Sequence, residues 1–212
     1  MSLRVQFALA QRGLDVAFEV ADGETVALRG PNGSGKSTIL EVVAGLLVPD
    51  RGSLELGGRR LMDLRGRGLW VPPHRRRITL MAQHPLLLPH LDVLDNVAFG
   101  PRSAGASRAE SRRRARRWLE ATGTEQFARR RAHELSGGQS QRIALARALA
   151  AEPEVLLLDE PLAAVDAEGS QDLRELLAHL LEVRTAVVVT HDPDDARALA
   201  DRTLHLEAGR IR

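Results

Sequence analysis

The 212-residue sequence has no cysteine, no tyrosine, and one lysine among 30 basic residues. Without cysteine there is no disulfide framework, no thiolate metal site and no cysteine nucleophile. No apolar run approaches the roughly 20 residues of a membrane-spanning helix, and no basic-plus-apolar leader opens the chain. The expectation is a soluble intracellular protein. Aromatics make up only 3 %, but 43 % of the residues are hydrophobic, enough for a substantial core. The length suits one domain, with room for a subdomain.

The scarcity of titrating groups also explains the calculated isoelectric point of about 10.2. The formal net charge is only +2. With no tyrosine or cysteine and one lysine, little loses a proton between neutral pH and the arginine range, so a small excess carries the pI far up. The distribution of charge is more informative. Residues 102–131 hold ten Arg against Glu110, Glu120 and Glu125, a local +7 that leaves −5 for the rest. Such a stretch could meet DNA or acidic lipid, or form a solvated helical face.

Alternating apolar and polar residues over Leu3–Leu28, broken at Gly13 and Gly23, predict strands. Ile39, Leu40, Val42, Val43, Leu46 and Leu47 then recur with helical spacing. Strands are expected at Gly52–Leu56 and Ile78–Ala82, with an irregular loop at Val71-Pro72-Pro73. From 85 to 133 helical patterns dominate, as in Ala109–Ala121. Helices over Ser140–Ala151 and Ser170–Val183 and strands at Val155–Leu158 and Ala186–Thr190 come after them. Strands alternating with helices at both ends imply a three-layer α/β core with a parallel sheet and a helical insertion. The expected division is 1–84 and 134–212 for the core and 85–133 for the insertion.

Three motifs carry chemistry. Gly30-Pro31-Asn32-Gly33-Ser34-Gly35-Lys36-Ser37-Thr38 lies between a predicted strand and a predicted helix, the setting of a phosphate-binding loop. Its backbone N–H groups and the helix N-terminus suit a phosphate chain, Lys36 the β- and γ-phosphates, and the Ser37 hydroxyl Mg²⁺. A planar guanidinium cannot easily replace an ammonium in so tight a cradle, which explains the one lysine. Val155-Leu156-Leu157-Leu158-Asp159-Glu160 is a buried strand ending in acids. Asp159 suits the Mg²⁺ shell and Glu160 a general base. Leu135-Ser136-Gly137-Gly138-Gln139 leads two glycines into a helix, a second anion site.

At that pentapeptide the sequence resembles the ATP-binding subunits of ABC transporters, whose signature it matches. The resemblance covers essentially the whole chain, in the family's order. Gln83 looks like the glutamine at the hinge of the helical subdomain, Pro161–Asp166 like the loop that couples two subunits, and His191 like the switch histidine. It implies a P-loop NTPase core with an N-terminal antiparallel β-subdomain and an inserted α-helical subdomain. It also implies ATP and Mg²⁺, with Ser37, Gln83 and Asp159 toward the metal. Glu160, His191 and Gln83 would be catalytic. A head-to-tail homodimer would sandwich two ATP molecules, with Ser136, Gly137, Gly138, Gln139 and Asp166 reaching the opposing site. The sequence departs from the family where an aromatic residue usually stacks on adenine, because Ala8–Gly13 has none. Phe7 and Phe18 read as core, and Arg12 could stack instead. Ser140 and Val165 are milder departures.

Pro89–Val93, Asp95–Gly100 and Val71–Arg77 resemble importer ATPases of the oxyanion, polyamine and sugar class. Within that class the short N-terminal strands and the arginine-rich helical segment are most similar to molybdate-importer subunits. Thiamine and ferric-iron importers stay open, as does a non-transport ABC ATPase acting on nucleic acid. The importer resemblance implies a separate transmembrane permease, an indirect link to a substrate-binding protein, no nucleic acid, and a place on the cytoplasmic face of the membrane. The sequence stops at Arg212, where many subunits of this class continue into a regulatory β-domain.

Overall fold

The computed structural model describes residues 2–64, 68–163 and 167–212. Strands β1 (Leu3–Leu9), β2 (Leu14–Val20) and β3 (Thr25–Arg29) precede helix α1 (Lys36–Ala44). Strands β4 (Arg51–Leu56), β5 (Arg59–Asp63), β6 (Leu69–Trp70) and β7 (Ile78–Met81) come next. Helices α2 (Val93–Ser103), α3 (Arg108–Ala121) and α4 (Gly137–Ala150) occupy the middle of the chain. The chain closes with β8 (Val155–Asp159), α5 (Ala167–Leu181), β9 (Ala186–Val189), α6 (Pro193–Leu199), β10 (Arg202–Glu207) and β11 (Arg210–Ile211).

Two compact units result. One comprises 1–80, 154–160 and 177–212; the other 81–153 and 161–176. In the first, β2-β1-β4-β5-β6 form an antiparallel sheet, whose alternating strands bury Leu3, Val5, Phe7 and Leu9 on one face. The second sheet runs β11-β10-β3-β9-β8-β7. Its central pairs β10–β3, β3–β9 and β9–β8 are parallel. Strands β8 and β9 are buried at every position, as expected of a parallel sheet covered on both faces. Leu28 pairs with Val189, and Val189 with Asp159, so this register sets three carboxyl ends level. Phe7 is core, and Phe18 packs partly buried against it.

In the second unit α2, α3 and α4 share a core of Val93, Val97, Ala115, Leu119, Ile143, Ala146 and Ala150. Asp92 and Ser107 cap α2 and α3, each accepting from the amide three residues on. Asn96 is fully buried, holding Leu88, Leu91 and Asp92 by their backbone groups. The unit is larger than the expected 85–133 insertion, because α4 buries its apolar stripe against α2 and α3. On α3, Arg112 pairs with Asp95 and both Arg113 and Arg114 with Glu110, so part of the basic stretch is neutralised locally. Among the described residues no helix is long and apolar enough to cross a membrane.

One residue of the Val71–Arg77 stretch organises the first unit. The expected irregular loop contains a single 3-10 turn at Pro73–Arg75, and it delivers Arg76 into the core with no exposed surface. Arg76 Nε donates to the Val71 carbonyl at 2.8 Å. Its Nη1 donates to the Val42 and Val43 carbonyls at 3.0 and 2.9 Å. Those two carbonyls belong to the last turn of α1, where a cation also meets the negative end of the helix dipole. The guanidinium lies 4.3 Å from the centroid of the Trp70 ring. Burial pulls its pKa down to about 10, so it stays charged at neutral pH. Gly45 closes α1 at φ +85, and a Cβ there would sit 2.5 Å from Arg76 Nε. Arg76→Met keeps much of the volume but strands the carbonyls. It should cost about 3 kcal/mol, read from the urea midpoint; a loss below about 1 kcal/mol would show that water replaces the guanidinium.

Candidate phosphate site

The loop between β3 and α1 is built around what α1 lacks. Its N-cap is Gly35 at φ +102, with no side-chain cap and no acid in the first turn. The helix therefore presents free amides and its positive end to whatever fills the loop. Gly35 is required twice over: its φ is left-handed, and a Cβ would lie 2.8 Å from Leu14 Cδ2. Lys36 is only 7 % exposed, and its Nζ donates to the Gly30 and Pro31 carbonyls, both at 2.9 Å. The ammonium spans the loop as an internal strut. Pro31, Asn32 and Gly33 form the exposed crest, Thr38 is buried, and the Ser34 hydroxyl is buried without a partner. An unpaired buried hydroxyl beside uncapped amides suits a phosphate chain.

Level with this loop stand the acids. Asp159 ends β8 and is 8 % exposed. Burial raises its carboxyl above the ordinary value, and the Glu160 charge adds to that. The Ser37 hydroxyl bond and the Lys36 charge oppose it. Among the described residues no three His, Cys, Asp or Glu cluster as a self-sufficient metal site. One carboxylate and one hydroxyl beside a phosphate loop nevertheless fit Mg²⁺, which takes few protein ligands and completes its shell with phosphates and water.

Glu160 takes φ +48, a left-handed conformation rare for a non-glycine residue. Its N–H still donates to the Val189 carbonyl at 2.9 Å, so the strand pairing holds it there. Its Oε2 lies 2.8 Å from His191 Nδ1. That places an acid and an imidazole in contact at the sheet edge, one from each of two adjacent strand ends. Arg29, at the end of β3, was not a candidate in the sequence; its Nη2 donates to the His191 carbonyl at 3.2 Å. The signal was a lone arginine ending the apolar run Thr25–Leu28.

Lys36, Ser37, Asp159, Glu160 and His191 thus gather in the first unit. Arg12 is exposed there, in the 3-10 turn Ala10–Arg12, two residues before the Leu14 that packs on Gly35. Gln83 belongs to the second unit, on an exposed bend after β7. So does the Ser136–Gln139 stretch. Ser136 caps α4, accepting from the Gln139 amide at 3.3 Å, and Gln139 Oε1 accepts from the Ser136 amide at 3.1 Å. Gln141, fully buried, donates to the Pro161 carbonyl at 2.9 Å. Asp166 lies outside the described residues, as does Val165.

The profile of a family described as ABC transporter matches residues 14–163, spanning the loop, the glycine pair and the acidic strand. The chain belongs to that ABC transporter family. It is 50 % identical to the molybdenum import ATP-binding protein ModC of Mycobacterium tuberculosis, over 99 % of this chain and 58 % of ModC. It is 48 % identical to the Fe(3+) ions import ATP-binding protein FbpC of Streptomyces avermitilis, over 92 % of this chain and 55 % of FbpC. The chain therefore spans little more than half the length of these curated relatives. A solved dimeric ATP-binding cassette in a post-hydrolysis state, bound to ADP and Pi, superposes with a TM-score of 0.82. That match is 30 % identical and covers 99 % of this chain and 96 % of the other.

The Asp159 carboxyl has a measurable consequence. Its folded pKa is raised, so the native state holds the proton more tightly than the unfolded chain does. The associated stability is present below the unfolded carboxylate pKa and is lost as pH rises through the folded value. Nucleotide-free Asp159→Asn should therefore melt above the parent at pH 7, and the gap should narrow toward pH 4. Melting curves across that range check it; a parent as stable as the variant at pH 7 would contradict the buried-charge account.

Proposed function

We propose that this chain is the ATP-hydrolysing subunit of an ABC importer, driving transport of molybdate or a related oxyanion through a separate permease. The 2.8 Å contact between Glu160 and His191, at the sheet edge beside the phosphate loop, carries the hydrolytic reading. The similarity to ModC supports the oxyanion.

In this reading Lys36 leaves the Gly30 and Pro31 carbonyls for the β- and γ-phosphates. The amides of Gly33–Thr38 wrap the phosphate chain. Ser37 and Asp159 would hold Mg²⁺, with Gln83 toward it and the attacking water. When bound, the ion neutralises developing phosphate charge. The buried Asp159 carboxyl would ionise more readily beside a bound Mg²⁺, whose positive charge opposes the effect of burial and of the phosphates. Glu160 accepts the proton of the attacking water at a carboxylate oxygen. His191 keeps that carboxylate oriented through Nδ1, and Nε2, when it carries a proton as well, would donate to the γ-phosphate. The left-handed backbone of Glu160 is the kind of strain that stores a reactive side chain in one direction. Arg12 stacks on the adenine in place of an aromatic ring.

Two copies would meet head to tail with ATP between them, Ser136–Gln139 and Asp166 of each completing the other's site. Support comes from the dimeric cassette that this fold matches. The capped α4 N-terminus is then free to exchange its internal Ser136–Gln139 bonds for a γ-phosphate. The pair would sit on the cytoplasmic face of the membrane through the permease, with a substrate-binding protein delivering cargo on the other side. No nucleic acid takes part.

Glu160→Gln should keep ATP affinity, lose turnover by about 10²–10⁴-fold, and accumulate as an ATP-bound dimer in size-exclusion chromatography. Unchanged turnover would remove Glu160 from the role of base. For the cargo, vesicles reconstituted with the cognate permease and binding protein should take up molybdate on ATP addition in preference to sulfate, thiamine or ferric iron. Preferential uptake of one of the others would reassign the importer.

A further inference from the structure

Arg29 is a cation with an unusual set of partners. It ends β3, one residue before the phosphate loop, and pairs in register with His205 of β10. A cavity of about 220 Å³ opens beside it, lined by Arg29, Pro31, His191, His205 and Glu207 among others. Glu207, the one carboxylate in that lining, is engaged with Arg212 at 3.2 Å. Among the described residues Arg29 forms no ion pair, and its buried Nε finds no acceptor. Its Nη2 goes to the main-chain oxygen of His191. A half-buried guanidinium with one N–H unsatisfied is a costly way to end a strand whose other residues, Thr25 to Leu28, are all buried. An ordinary leucine or valine would continue the core.

His191 is the middle residue of the short segment Thr190–Asp192 that joins β9 to α6. There the Asp192 amide donates to the Thr190 hydroxyl at 3.1 Å, and Asp192 caps α6 through the Asp194 amide at 2.7 Å. The His191 ring is held at Nδ1 by Glu160, and its main chain by Arg29. The imidazole is exposed at the surface and has no packing of its own to orient it.

We propose that Arg29 is a positioning residue for His191. By tying the His191 carbonyl to the end of β3, it sets the distance between the switch imidazole and the phosphate loop directly after Arg29 in the chain. The effect passes through the main chain, since the guanidinium bonds to neither the Glu160 carboxylate nor the loop amides among the described residues. The inference rests on the hydrolytic reading for its kinetic consequence, but its structural part does not.

The structural part is tested without nucleotide. In ¹⁵N-histidine NMR of the full chain, with the His191 signal assigned by its loss in His191→Ala, the parent ring should show one tautomer with Nδ1 hydrogen-bonded. Arg29→Met should shift both ring nitrogens toward the averaged values of a free imidazole, and Arg29→Lys should recover part of the parent signal. Unaltered ring shifts in a folded Arg29→Met overturn the proposal. If Arg29→Met does not fold, Arg29→Gln, which keeps a neutral donor of shorter reach, takes its place with the same two outcomes.

The kinetic part is a double-mutant cycle. Arg29→Met should lower kcat for ATP about tenfold with KM nearly unchanged. In a His191→Ala chain the same substitution should cost less than about twofold more. Equal losses in both backgrounds would mean that Arg29 acts elsewhere and would overturn the proposal. A parent chain without ATPase activity, yet with the expected NMR behaviour, would refute the hydrolytic reading and leave the Arg29–His191 tie standing.

Discussion

Everything at the site depends on the parallel pairing of β3, β9 and β8. Hydrogen bonding sets Leu28 against Val189 and Val189 against Asp159, so three chain segments leave the sheet at one level. Each departure has a different character. After β3 comes a glycine-rich loop that leads into an uncapped helix, β8 runs into a pair of acids, and after β9 come a threonine and a histidine. A one-residue slip in either pairing would turn Asp159 or Arg29 to the other face of the sheet. The slip is resisted by a core in which Val155, Leu157, Val187 and Val189 are all buried. Catalytic geometry is thus a by-product of the same register that satisfies the hydrophobic strands.

Stability is given up at that edge and recovered elsewhere. Asp159 is held where ionisation is disfavoured, Glu160 in a left-handed conformation, and Ser34 with a buried hydroxyl that lacks a partner. Each is unfavourable without a ligand: a bound metal ion would favour the ionised Asp159 and a phosphate oxygen would give Ser34 an acceptor, while the Glu160 backbone is held in place by strand pairing. On the opposite end of α1 the balance is reversed. There Arg76 meets three carbonyls and the Trp70 face, and ties the helix to the loop after β6. One end of α1 is left hungry for an anion while the other is secured by a buried cation.

The cations that frame the site were not equally legible. Lys36 stands out in the sequence, because a glycine-rich loop leaves few positions for a point charge and an arginine would not fit it. Arg29 and Arg76 do not, because they sit among 27 other arginines, and neither an arginine that ends a strand nor one within Val71–Arg77 tells which groups its guanidinium will meet. Their roles are acceptor-side facts: a carbonyl at His191, carbonyls at Val42 and Val43. Main-chain oxygens carry no residue-specific signature, so no pattern in side-chain identity reveals which one will receive a guanidinium. The helical insertion shows the same limit. Periodicity placed helices at Ala109–Ala121 and Ser140–Ala151, but α4 packs with α2 and α3 through Ile143, Ala146 and Ala150, a stripe that is equally compatible with packing on a sheet.

Residue identity alone dictates the chemistry at each strand end: the glycine loop with its lysine, the acidic pair and the histidine. It can do so because those functions demand particular side chains or glycine backbones at short, fixed spacings, which survive in one dimension. Which of these groups touch is settled in three dimensions. The Glu160–His191 contact spans 31 residues and the Arg29–His191 bond 162. Such contacts exist because a parallel sheet brings distant strand ends level, and that register is a property of many buried residues acting together.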